Sequence, residues 1–254
     1  MDEPINDAIA TQDQASSSSE LPKPPPTPGH FPPYDEHKPW NPGLLLRFLQ
    51  SPFQYSRENL ANVSPDVVTG LAFVCGAGAS ASSQAIQIVA AALKGSSLSQ
   101  MDKMASVASP SWGTYWGKVW ILGAIIGIFR WFVSGWWYAF RINLCGDKKA
   151  NHEYARVVFV HVDAMWAIAV LSVSIFDTFV YPNPGATWAA SHHNLITLVL
   201  AVSYWYSYQA VRGSFDVSRR KALFWFFIAP LGFMMSTQLI GFISGFLVGA
   251  AAHH

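Results

Sequence analysis

The chain has 254 residues, of which 51% are apolar and only 12% charged, and its net charge of +1 gives no reason to expect a nucleic-acid partner. Its two cysteines, Cys75 in an apolar stretch and Cys145 in a polar loop, point away from a disulfide framework. Five long apolar stretches after residue 65 predict instead an all-α integral membrane protein, a five-transmembrane-helix bundle behind a disordered N-terminal tail.

The first residues, MDEPINDAIATQDQ, are acidic and lack an apolar core, so no cleavable signal peptide is expected and the first span must direct insertion. Residues 1–43 continue with Ser16 to Ser19, the run Pro24, Pro25, Pro26, and further prolines at Pro28, Pro32, Pro33 and Pro39. Such a segment buries too little apolar surface to offset the entropy of ordering, which predicts a disordered cytoplasmic tail. It reads as a solvated spacer, and proline-rich tails of this kind also dock onto aromatic grooves of adaptor domains.

Residues 44–254 are expected to form the membrane domain. It opens on LLLRFLQSPFQYSREN, which is too short to cross a bilayer, is interrupted by Pro52 and is edged by Arg47 and Arg57. That mixed character predicts a juxtamembrane element at headgroup level. A hydrocarbon core about 30 Å thick needs about 20 apolar helical residues, and spans are placed at roughly 67–92, 119–140, 155–180, 190–211 and 222–250.

The loops alternate in charge. Arg47, Arg57, Arg141, Lys148, Lys149, Arg156, Arg212, Arg219, Arg220 and Lys221 fall on one side, and only Lys94, Lys103 and Lys118 on the other. Cytoplasmic loops retain Lys and Arg, so the N-terminus is expected in the cytoplasm and the C-terminus outside or in a lumen. Trp112, Tyr115, Trp116 and Trp120, then Trp136, Trp137 and Tyr138, mark the two ends of the second span, and Trp188 with Tyr204 to Tyr208 those of the fourth. Pro230 predicts a kink in the fifth.

Small residues four apart let helices approach closely in lipid. Gly123 and Gly127 in the second span, Gly241, Gly245 and Gly249 in the fifth, and the face of Gly70, Ala77, Gly78, Ala81 and Ser82 in the first are the candidate packing seams. Their partner helix lies in this chain or in another copy or protein, so a homo- or hetero-oligomer is left open.

Ionisable groups within a bilayer are costly and are functional candidates by default. Here they are Arg130 in the second span and His161, Asp163 and Asp177 in the third. Arg130 lies roughly 15 Å below Phe140 and Asp163 roughly 13 Å below Tyr154 at the helical rise, so an ion pair near the midplane is geometrically open. Arg156, Asp163, Val170 and Asp177 recur every seven residues and should form one seam facing the bundle. Asp163 and Asp177 are about 21 Å apart along the axis, too far for an acid–base carboxylate dyad. His161 is about 200° around the helix from Asp163, so the two make no metal site. His192 and His193 read as interfacial polar residues. No nucleophile elbow, phosphate loop, zinc-protease or paired-cysteine motif occurs, and no catalytic residue, metal or cofactor is expected.

Ser51-Pro52-Phe53, the aromatic second span running into Arg141-Ile-Asn-Leu-Cys145-Gly146, the aromatic end of the fourth span, and Asp216-Val-Ser-Arg-Arg-Lys-Ala222 leading to Pro230 carry a resemblance. Over residues 44–250 the chain resembles the YIP-domain family, the Ypt/Rab-interacting-protein membrane domain. The acidic, Gly-Pro-containing stretch that precedes the first span in eukaryotic members is missing, and Ser-Pro-Phe looks more like prokaryotic members. The resemblance implies a non-enzymatic helical membrane protein; its eukaryotic relatives engage Rab-type GTPases, and the missing stretch counts against a small GTPase here.

The expectation is therefore a membrane scaffold or adaptor whose partners are the lipid bilayer and other membrane or cytoplasmic proteins, in a bacterial inner membrane rather than an endomembrane. The rival is a small transporter or channel-like subunit with a polar path through Arg130 and Asp163. An interfacial lipid enzyme would have only His192, His193 and the loop bases to work with.

Overall fold

The computed structural model describes residues 42–94, 97–190 and 193–236, which are helical with short connections and contain no β-strand. Two short helices, α1 (Pro42–Gln50) and α2 (Pro52–Glu58), precede α3 (Pro65–Leu93). After α4 (Leu98–Ala108) come α5 (Trp112–Phe129) and α6 (Gly135–Cys145), fused through a π-helical turn at Arg130–Ser134. Next are α7 (His152–Val180), a 3₁₀ turn at Pro184–Thr187, α8 (His193–Ser214), and α9 (Arg219–Leu223), which runs on through a second π turn at Phe224–Ile228. The predicted tail, His192, and Gly241, Gly245 and Gly249 lie outside the described residues.

Local sequence sets the helix ends. The Ser111 side chain caps α5 by accepting from the Thr114 N–H, and Asn151 caps α7 by accepting from the Glu153 and Tyr154 N–H groups. Pro65 at the first turn suits the start of α3, and Gly146, at φ 122°, ends α6 in a conformation that a side chain would strain.

Two stretches, Trp112–Cys145 and His152–Val180, are long and apolar enough to cross a membrane. The outward face of the first carries Ile121, Ile125, Ile128, Phe129, Phe132 and Trp136, all more than half exposed. Soluble surfaces rarely present a contiguous apolar band of that size, whereas lipid covers it at no cost.

α3 lies at the centre and packs through small residues on two sides. It runs antiparallel to α5, with Ala72 against Gly127 and Gly76 and Ala77 against Gly123, while Gly78 meets Ala167 of α7. The Ser80 hydroxyl donates to the Lys118 carbonyl and the Gln84 amide to the Tyr115 carbonyl, extending the same seam. Gly70 of the predicted small face touches nothing and belongs to no seam.

The structure also departs from the sequence reading in the first-to-second loop and in the second span. Residues 98–108, expected as loop, form α4, which packs on the Pro184–Thr187 turn: Gly185 stands against the Ser106 backbone and the Trp188 indole donates to Asp102 at 2.9 Å. The second span starts at Trp112 rather than 119 and contains the π turn although no proline lies in it. Its buried positions before the turn, Tyr115, Val119, Gly123 and Gly127, recur every four residues, and those after it, Gly135, Tyr138, Ala139, Ile142 and Cys145, fall on an ordinary helical face. An α-helix drifts about 40° for each four residues, so it cannot hold that face for long. The wider π turn brings the face back toward the bundle.

Candidate functional site

Arg130 is the first residue of the π turn, and its Nη2 donates to Asp163 Oδ1 of α7 at 2.6 Å. The guanidinium also lies 5.7 Å from the centre of the Phe159 ring, one turn before Asp163. Cys75 of α3 completes the layer: it is 1% exposed, its thiol donates to the Val160 carbonyl at 3.4 Å, and it neighbours the Asp163 carboxylate. Three helices thus converge on a neutralised pair midway along Trp112–Cys145. Arg130 Nε and Asp163 Oδ2 are buried with no hydrogen-bond partner. Chemically the arrangement holds a cation and an anion together with side chains 26% and 13% exposed; breaking one side of such a largely enclosed pair costs more than the pair contributes.

His161 and Asp177 belong to other layers. His161 is 3% exposed, its Nδ1 is 2.8 Å from the Val157 carbonyl oxygen, and its ring meets Phe48 edge-on at 6.4 Å. Asp177 is 3% exposed and sits beyond Val170, near the Trp112 end of the bundle. There the Tyr115 hydroxyl pairs with Ser174 at 2.8 Å, and the Trp116 and Trp112 indoles donate to Thr178 and to the Tyr181 carbonyl. The seam of Asp163, Val170 and Asp177 faces inward, but the four ionisable residues form no single cluster. His193 begins α8, and its side chain is outside what the structure describes.

The opposite end of the bundle holds α1 and α2. Phe48 is fully buried between Tyr55, His161 and Tyr206, while Leu46 and Leu49 of the same helix remain exposed. The Tyr206 hydroxyl donates to the Leu49 carbonyl. α2 follows through Ser51-Pro52-Phe53: the Phe53 carbonyl lies so close to Gly213 that a Cβ there would stand 2.3 Å from it, and Arg212 covers the Phe53 ring at 5.3 Å. The Tyr154 hydroxyl bridges to the Ser56 carbonyl at 3.3 Å and to Ser214 at 3.2 Å. Burial in this cluster pushes the Tyr55 hydroxyl above the ordinary tyrosine pKa. The segment expected as a juxtamembrane element at headgroup level is therefore a latch on the bundle, inserted by one aromatic side chain.

Sequence reasoning named Cys75 and Arg141 but gave neither them nor Phe48 a place in the site. Arg141 lies between the rings of Tyr138 at 5.2 Å and Phe226 at 4.7 Å and donates to the Trp225 carbonyl at 3.2 Å, in the second π turn. Tyr138 and Arg141 are three apart on α6, a spacing that shares a face and was the available signal. Among the described residues no group of three His, Cys, Asp or Glu side chains is placed to hold a metal.

Comparison of the chain with protein-family models, with curated proteins and with solved structures gives no match.

Proposed function

We propose that the chain is a non-enzymatic, multi-pass membrane scaffold. In this reading five helices cross the bilayer of a bacterial inner membrane, with the N-terminus cytoplasmic and the C-terminus outside. Partner proteins are recruited through the Pro/Ser-rich segment before residue 44 and through the basic loops. The observation that carries it is the latch: with Phe48 fully buried and Phe53 pressed on Gly213, the recruiting segment leaves from a fixed point on the ends of α7 and α8. A fixed point of departure for the recruiting segment is what an adaptor requires. The tight glycine contacts of α3 with α5 support a packed core rather than a solute path.

The YIP-domain relationship is proposed on the same ground. Ser51-Pro52-Phe53, which carries part of that resemblance, makes the α2 contact with Gly213.

A specific observation favours a second reading, a small transporter or channel-like subunit. Arg130 Nε and Asp163 Oδ2 lack partners beside a π turn, and such turns recur at functional sites.

The test is crosslinking of the tagged full chain in its native membrane, read by mass spectrometry, beside a version lacking residues 1–41. The scaffold reading predicts at least one specific partner that disappears on deletion. An unchanged set of crosslinked proteins contradicts it.

A further inference from the structure

Four of the cationic side chains among the described residues stack on aromatic rings, and one of them lacks a polar partner. Arg130 has Asp163, Arg141 donates to the Trp225 carbonyl, and Arg212 donates to the Tyr208 hydroxyl. Arg156 has none: its Nε is buried without a hydrogen bond, and among the described residues no carboxylate stands within ion-pair distance of it. Its guanidinium lies 5.3 Å from the Phe132 ring and 5.9 Å from the Trp131 ring. Its stem is seated on Gly135, where a Cβ would stand 2.5 Å from Arg156 Cγ.

The same two rings line a groove between α3 and α5. It has a volume of about 330 Å³ and apolar walls that include Ala72, Phe73, Ala124 and Ile128. Ile128 and Phe132 are 64% and 55% exposed, so the groove opens onto the apolar outer face of the Trp112–Cys145 helix. Arg156 lies about 6 Å into α7 from His152 at the helical rise, close to headgroup depth, and the groove runs deeper from there. An unpaired cation at that depth calls for an anion, and an apolar slot beginning at the same rings calls for an attached chain. Clefts of this size, apolar with one placed charged group, are the usual form of a small-ligand site.

We propose that the groove and Arg156 together bind one acidic glycerophospholipid from the leaflet on the Arg156 side, its phosphate on the guanidinium and one acyl chain along Ala72, Phe73 and Ala124. Charge complementarity selects the occupant: a zwitterionic lipid carries its own cation beside the phosphate and gains less from Arg156. The proposal rests on the reading that Trp112–Cys145 crosses a bilayer.

The test is native mass spectrometry of the purified full chain in detergent, offered phosphatidylglycerol or phosphatidylcholine at equal concentration. Phosphatidylglycerol should occupy the protein about 10-fold more readily, the scale of a hydrogen bond to a charged group. Arg156→Gln should bring the two lipids within about 2-fold of each other, Arg156→Lys, which keeps the charge but loses the stacked fork, should keep only part of the preference, and Arg219→Gln should leave it intact. Ala124→Phe, which fills the groove, should lower occupancy by both lipids. An unchanged preference in Arg156→Gln overturns the proposal. If that variant does not fold, Ala124→Phe decides, and wild-type occupancy in it overturns the proposal equally. Failure of the membrane reading looks different: the chain would leave membranes in an alkaline carbonate wash, before any lipid is offered.

Discussion

Gly76 and Gly123 face each other across α3 and α5 so closely that a Cβ on Gly76 would stand 2.0 Å from the Gly123 carbonyl oxygen and 2.5 Å from the Gly127 nitrogen. Backbone atoms, not flexible side-chain ends, are what a methyl group would meet. The contact lets two helices touch along their backbones, the close approach that small residues permit. Gly76→Ala should therefore destabilise the bundle by at least about 1–3 kcal/mol, as overpacking of a full core does. Gly70→Ala, with nothing within 4 Å, should be neutral or slightly stabilising. Melting of both variants in detergent checks this; equal loss would mean the seam is looser than described.

Phe48 gives a second prediction. Its ring is fully buried against His161, Tyr55 and Tyr206, so Phe48→Ala should release α1, at a cost of about 3–5 kcal/mol to the latch. Leu46→Ala, at a position 56% exposed, should change little. Limited proteolysis is the direct readout, with new cleavage between residues 45 and 65 in Phe48→Ala alone.

The two cysteines give a third. Cys75 and Cys145 are 1% and 0% exposed, and both are free. A maleimide should label neither in the folded protein and both after denaturation. Fast labelling of Cys145 in the folded chain would mean that the α6 end, where the Ser218 N–H donates to the Cys145 carbonyl, is open.

What the sequence made legible was set by periodicity and depth. Counting rise along two antiparallel spans put Arg130 and Asp163 at one level, and the structure pairs them. The Gly123 and Gly127 spacing marked a face, and the structure presses that face on Ala72, Gly76 and Ala77. Direction was less legible. The Leu44–Phe53 stretch reads as apolar whichever way it points, and which ring enters the bundle depends on the cavity that α7 and α8 leave for Phe48. α4 escaped because LSQMDKMASVA is only weakly apolar, and its helix is held by contacts with Pro184–Thr187 some eighty residues away. The π turn escaped because it answers to a mismatch of pitch between α5 and its neighbours and not to a helix-breaking residue.

The role of the Arg130–Asp163 pair is the point on which scaffold and transporter part. In a scaffold the pair docks the π turn on α7, and Asp163→Asn leaves a buried guanidinium uncompensated, which costs about 3–5 kcal/mol where a partner is removed. The most direct measurement is the melting temperature of purified Asp163→Asn in detergent, taken beside ion flux into vesicles containing the same protein. The scaffold account predicts a lowered melting temperature, partly restored in the double variant Arg130→Gln, Asp163→Asn, and no flux in the wild type to lose. A variant as stable as the wild type that has lost a measurable flux would contradict it.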